Sequence, residues 1–191
     1  MQAWMIRITG FLLGAALALL MTNSPPAEAQ WGFGGGSLDE IENRLERKHD
    51  DIEHITAEKL LGMGVPGQDF LLLDVRKKSE FEVSHIPGAL QIDPNARIDD
   101  VEAILAGADE NLPVVVYCSV GRRSSRLGSR VADDLEGRTV SNLRGGVFAW
   151  HNEGRPLENA AGTTPYVHPY GFLARGLVER DEFVATRPKA D

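Results

Sequence analysis

Two short runs, Phe70-Leu-Leu-Leu73 and Val114-Val-Val-Tyr117, are apolar without interruption. A strand with one wet face alternates; a strand that is apolar throughout must be covered on both faces. Such strands belong to parallel sheets, whose neighbours need crossover connections of a dozen or more residues, usually helical. The intervening sequence supplies them. Short strands are predicted at 54–56, 70–75, 89–92, 114–117 and 139–143. Helical patterns fall at 57–61, 79–83, 98–106, 125–135 and 146–152. The expected fold is α/β, an open, mainly parallel twisted sheet with helices on both faces. Ligands of such sheets bind at the carboxyl ends of the strands. Two strands here end in chemistry-bearing residues, Asp74-Val-Arg76 and Cys118.

The flanks read differently. Ile8–Met21 is an almost wholly apolar run behind a single positive charge, Arg7, and Ala27-Glu28-Ala29 forms an A-x-A box before Gln30. This is the pattern of a secretory signal peptide cleaved after Ala29, with an uncleaved membrane anchor as the alternative. The general export route is expected, because no twin arginine is present. Export makes the mature chain periplasmic or secreted, without stable membrane insertion after cleavage. Residues 30–51 read as a glycine-rich linker and a charged helix over 38–50, opened by the capping box Ser37-Leu-Asp-Glu40 and showing a thin apolar stripe. Residues 52–157 carry the strand–helix alternation. Residues 158–191 form a C-terminal tail with an aromatic cluster, Tyr166, His168, Tyr170 and Phe172; Tyr166, Tyr170 and Phe172 are expected to cover an exposed edge of the core, with a binding rim for a partner as the alternative. The net charge of −8 gives no reason to expect a nucleic-acid partner.

Cys118 is the single cysteine, so neither an internal disulfide nor a Cys-x-x-Cys pair can form. It stands between a buried strand and a helix start, in Cys118-Ser-Val-Gly-Arg-Arg-Ser124. Gly121 permits the loop to curl. The N–H groups of Ser119, Val120, Gly121, Arg122, Arg123 and Ser124 are then expected to form an anion nest around the sulfur. Two arginines at a helix N-terminus are unfavourable without a compensating anion. A thiolate nucleophile with a depressed pKa follows, and the ligand is an anion.

Leu73-Asp-Val-Arg76, Glu80-Phe81 and His85-Ile-Pro-Gly-Ala89 resemble the entry motifs of the rhodanese (sulfurtransferase) domain. The loop resembles its Cys-x-x-Gly-x-Arg-Ser active site. Asn142-Leu-Arg-Gly-Gly146, Trp150 and Gly154-Arg-Pro156 resemble its closing motif. Ser84 departs from the glycine usual before His-Ile-Pro-Gly, a change expected to be tolerated. The resemblance implies that Cys118 takes a sulfur from thiosulfate or a persulfide and passes it to a thiol, on a protein or otherwise, or to cyanide. It further implies that Arg123, with Arg122, orients the donor's sulfonate. Mercaptopyruvate-using relatives carry Gly-Val-Thr in place of the arginines. The phosphatases sharing this fold have a loop one residue longer, Cys-x5-Arg against the Cys-x4-Arg found here. A phosphatase or arsenate reductase and a non-catalytic anion- or protein-binding module stay open as alternatives.

Asp74 and Arg76 are candidates for shaping the site, although a strand-end Asp paired with a nearby arginine is the plainer account and the one preferred. His85 is expected to fix a turn and Trp150 to pack in the core. His151 and His168 lack partners at ligand spacing, so neither a metal nor a cofactor is expected.

Overall fold

The computed structural model describes residues 36–135 and 137–189. The signal-peptide reading at 1–29, and nearly all of the glycine-rich linker, lie outside the described residues. The elements run α1 (Leu38–Lys48), β1 (Glu53–Ile55), α2 (Ala57–Gly62), β2 (Leu71–Asp74), α3 (Lys78–Val83), β3 (Leu90–Gln91) and α4 (Ile98–Leu105). They continue with β4 (Val114–Tyr117), α5 (Arg122–Val131), β5 (Val140–Leu143), α6 (Gly146–Asn152), β6 (Leu157–Asn159) and β7 (Gly162–Thr164). The first five strands form one sheet in the order β1-β5-β4-β2-β3, and every neighbouring pair is parallel.

β2 and β4 are buried at every residue, as their unbroken apolar sequences require. Their side chains sort by parity. Leu71, Leu73, Val114 and Val116 join Val101 and Leu105 of α4 and Leu127 and Val131 of α5. Leu72, Val115 and Tyr117 face the other way, onto Ile41 and Leu45 of α1, Leu60 of α2, and Val147, Phe148 and Trp150 of α6. Each Val or Leu so covered contributes about 1.5–3 kcal/mol relative to exposure.

α1 is fixed to the domain by more than its thin apolar stripe. Its capping box forms, Glu40 N–H donating to Ser37 Oγ and Ser37 N–H to the Glu40 carboxylate. Glu42 and Glu46 then hold Arg144 beyond β5, at 3.2 and 2.7 Å. The helix is thereby pinned beside the strand end that precedes α6.

Two expectations are corrected. The helix after β4 begins at Arg122 rather than 125 and ends at Val131 rather than 135. Gly121, at φ +89°, turns the chain so sharply that the helix starts with the next residue. Tyr170 and Phe172 of the tail do not cover the core edge. Val167, Ala174 and Val178 do so, while Tyr170 is 44% and Phe172 91% exposed. The tail does lie over the domain, entering through the antiparallel β6–β7 hairpin. Ser84 adopts an extended backbone at φ −173°, which any residue can take, and this accounts for serine in place of glycine.

Candidate active site

Register brings the two chemistry-bearing strand ends together. Asp74 pairs with Tyr117, so Cys118 leaves β4 beside the end of β2. The sulfur is enclosed by donors from the first turn of α5 and the loop before it. Arg123 N–H lies 3.3 Å from Cys118 Sγ, and the N–H groups of Ser124 and Val120 also donate to it. Burial, the largest single influence, pushes the thiol pKa up. The Arg123 charge and these hydrogen bonds together outweigh it, and the pKa lies below the ordinary thiol value.

The N–H groups point inward because the carbonyls are held outward. A trans peptide carries its C=O and N–H on opposite sides. Val147 N–H takes the Cys118 carbonyl at 2.9 Å and Phe148 N–H takes that of Ser119 at 3.1 Å, turning the Val120 N–H toward the sulfur. Ser125 takes the Gly121 carbonyl through its N–H and its hydroxyl, at 2.9 and 2.6 Å. The first two donors belong to the opening turn of α6, which reaches the loop only because Gly145 and Gly146 have φ of +62° and +54°. A Cβ on Gly146 would collide with the Cys118 carbonyl oxygen and stand 3.0 Å from the Cys118 and Ser119 carbonyl carbons. Asn142 completes the scaffold by accepting the Ser124 hydroxyl at 2.6 Å.

The Arg123 side chain is otherwise occupied. Its Nη1 and Nη2 each bond a Glu80 carboxylate oxygen at 2.8 Å, and Nη2 also reaches Ser119 Oγ at 3.0 Å. One face carries the Tyr170 ring, centred 4.6 Å from Cζ. Burial opposes the Glu80 charge, but Arg123 and the Lys77 N–H prevail and hold its pKa below the ordinary value. The guanidinium expected to orient the donor is held by Glu80, and its charge and backbone N–H act on the sulfur. Arg122, in the same turn, is exposed. Ser119 is buried, and its hydroxyl accepts from Arg123.

Asp74 and Arg76 are fully buried. The guanidinium bonds both Asp74 oxygens and donates to the Ser84 carbonyl at 2.6 Å. Burial works against its charge, yet Asp74 outweighs burial and raises the Arg76 pKa. Tyr117 donates its hydroxyl to Asp74 and accepts the Ile86 N–H at 3.0 Å. This ion pair forms the floor of the strand ends rather than an exposed wall. His85 does what its place before Ile-Pro-Gly suggested: Nδ1 bonds the Phe81 carbonyl at 3.1 Å, and the ring stacks on Phe81. Trp150 packs in the core with Nε1 donating to the Pro156 carbonyl.

The sequence marked Glu80, Asn142 and Gly145–Gly146 as motif residues and Tyr170 as one of an aromatic cluster, but gave none of them a part in holding Cys118 or Arg123. Two arginines in the first turn of a helix demanded an anion, and Glu80 supplies it. The signal in the sequence was the place of Glu80 in the Glu80-Phe81 motif; its pairing with Arg123, 43 positions away, was not.

Residues 56–153 match the family model of the rhodanese-like domain. A sulfurtransferase of Allochromatium vinosum is 31% identical over 106 residues, covering 56% of this chain and 94% of that protein. An adenylyltransferase and sulfurtransferase of Meyerozyma guilliermondii is 33% identical over 95 residues, 47% of this chain, but the match spans only 22% of its length. Among solved structures, a thiosulfate sulfurtransferase from Pseudomonas aeruginosa aligns with a TM-score of 0.52 at 21% identity. That alignment covers 73% of this chain and 26% of the other, a likeness of fold alone.

Proposed function

This chain belongs to the rhodanese-like domain family, and from that membership and the surroundings of Cys118 we propose that it transfers sulfane sulfur through a Cys118 persulfide. The observation that carries the reading is the buried sulfur bonded by the Val120, Arg123 and Ser124 N–H groups, with a depressed pKa. A site that stabilises a thiolate serves a persulfide anion one atom longer in the same way.

The Cys118 thiolate attacks the outer sulfur of thiosulfate. The Sγ–S bond forms as the S–S bond of the donor breaks, and sulfite leaves with the electron pair. An acceptor thiolate or cyanide then takes the terminal sulfur of Cys118-S-S⁻, giving a persulfide or thiocyanate and restoring the thiolate. Arg122, on the exposed side of the first turn, is the cation for the donor's sulfonate, and the N–H groups of 119–124 hold the sulfur. Thiosulfate or a persulfide is the donor, and a thiol, on a protein or otherwise, is the acceptor. The acceptor must come from outside, since Cys118 is the single cysteine.

Our reading of the chain as a whole is a periplasmic or secreted protein cleaved after Ala29, with 52–157 as the catalytic domain and 158–191 as its tail. Intact-mass analysis of the protein purified from exporting cells tests both parts. Loss of residues 1–29 supports export. A gain of one sulfur after thiosulfate treatment, removed by cyanide and absent in Cys118→Ser, supports the carrier chemistry. An unchanged mass refutes it.

A further inference from the structure

The residues that match the family end at 153, yet the chain returns to Arg123 beyond them. Val167 and Ala174 are fully buried anchors. Val167 is further tied to the chain at 183–185, its N–H donating to the Phe183 carbonyl and its carbonyl accepting the Ala185 N–H. Between the anchors the chain is half-buried at His168, buried at Pro169 and exposed over 170–173, a strap whose Tyr170 ring lies on the Arg123 guanidinium.

The strap is built to present that ring. Tyr170 is the non-glycine residue with positive φ among those described, at +64°. The Gly171 N–H reaches back to the Pro169 carbonyl at 2.7 Å, a γ-turn of the strained, positive-φ hand. The Tyr170 N–H is held by His168 Nδ1 at 3.0 Å. Such strain persists only where its surroundings over-determine it, and it gathers at ligand sites. Two and three positions after Tyr170 in the chain, Phe172 and Leu173 are 91% and 65% exposed. Adjacent large apolar side chains left in water beside a reactive centre mark a surface that something covers. The stretch Tyr166–Arg175 contains no acid in a chain of net charge −8, so the covering group is compatible with an anion.

We propose that Tyr170, Phe172 and Leu173 form a substrate subsite for the apolar body of an organic thiosulfonate or persulfide anion, making the enzyme selective for such donors over bare thiosulfate. This rests on the sulfurtransferase reading and names its substrate class. Thiosulfate has no apolar body and gains nothing from the strap. An aryl thiosulfonate places its ring on the aromatic side chains while its outer sulfur meets Cys118. Sγ–S bond formation then expels the aryl sulfinate with the electron pair.

The test compares benzenethiosulfonate with methanethiosulfonate, which share the reacting group and differ in body, using cyanide as acceptor. The measured quantity is the ratio of their kcat/KM values in the wild type, Phe172→Ser and Tyr170→Gly. Phe172 is exposed enough for its loss to spare the fold, and glycine adopts the Tyr170 backbone without strain. Because a ratio is read, any general loss of activity cancels. The benzene-to-methane ratio is expected to fall about three- to tenfold in each variant, the span of a lost aromatic contact. A ratio unchanged in both variants overturns the subsite while leaving the sulfurtransferase reading intact. Failure of every donor, thiosulfate included, to load Cys118 overturns the sulfurtransferase reading and the subsite with it.

Discussion

Replacing Gly146 by alanine tests whether the α6 glycines set the chemistry of a cysteine 28 residues away in sequence. The new Cβ would meet the Cys118 carbonyl well inside the 3.0 Å that real Cβ atoms keep, so α6 and the loop must separate by on the order of 0.5–1 Å. The Val147 and Phe148 bonds, now 2.9 and 3.1 Å, would then pass beyond the useful N–H···O range of about 2.7–3.2 Å. Two lost hydrogen bonds cost about 0.5–1.5 kcal/mol each, and an alanine at φ +54° adds about 1–2 kcal/mol. A loss of roughly 2–5 kcal/mol in urea unfolding is expected. Gly62→Ala provides the control, because its Cβ meets nothing within 4 Å. The more specific readout is iodoacetamide alkylation of Cys118 against pH. Once the Cys118 and Ser119 carbonyls are released their peptides can turn, the N–H groups leave the sulfur, and the thiol pKa rises. A Gly146→Ala protein that is folded, loses under 1 kcal/mol and alkylates with the wild-type pH profile would refute the reasoning.

In Glu80→Gln, Arg123 keeps its charge but loses its carboxylate. Unfolding should cost about 2–4 kcal/mol less free energy, and the Cys118 alkylation profile should move to lower pH, since an acid near the thiolate has gone; a move to higher pH contradicts this. Asp74→Asn deprives the fully buried Arg76 of its paired carboxylate and should destabilise by about 3–5 kcal/mol, as read by denaturant midpoint. The depressed Cys118 pKa also links stability to pH. Its contribution is complete above the unfolded thiol value of about 8.5 and is lost as pH falls through the lower native value. Cys118→Ser should therefore flatten the stability–pH curve within that window, and identical curves for the two proteins would count against an ionised native thiol.

Much of this was written in the chain itself. The unbroken apolar runs of β2 and β4 dictated a parallel sheet covered on both faces, because no alternation left a face for water. Gly121, Cys118 and the first-turn arginines dictated an anion-binding strand-to-helix turn, since each acts through neighbours a few residues away. Ser37 and Glu40 dictated the start of α1 for the same reason. What lay beyond reach were the partners set by distance in space. Glu80 captures Arg123 across 43 positions, Asn142 holds Ser124 across 18, and α6 turns the carbonyls of a loop on a different strand. The sequence could show that Arg123 needs an anion; only the packing of α3 against the loop decided that Glu80 provides one. Tyr170 likewise looked like part of an aromatic cluster sealing the core, until small buried residues on either side fixed where the strap could go. Local chemistry is carried by residue type and spacing, but the direction of a carbonyl or a guanidinium is decided by whichever group the fold places next to it.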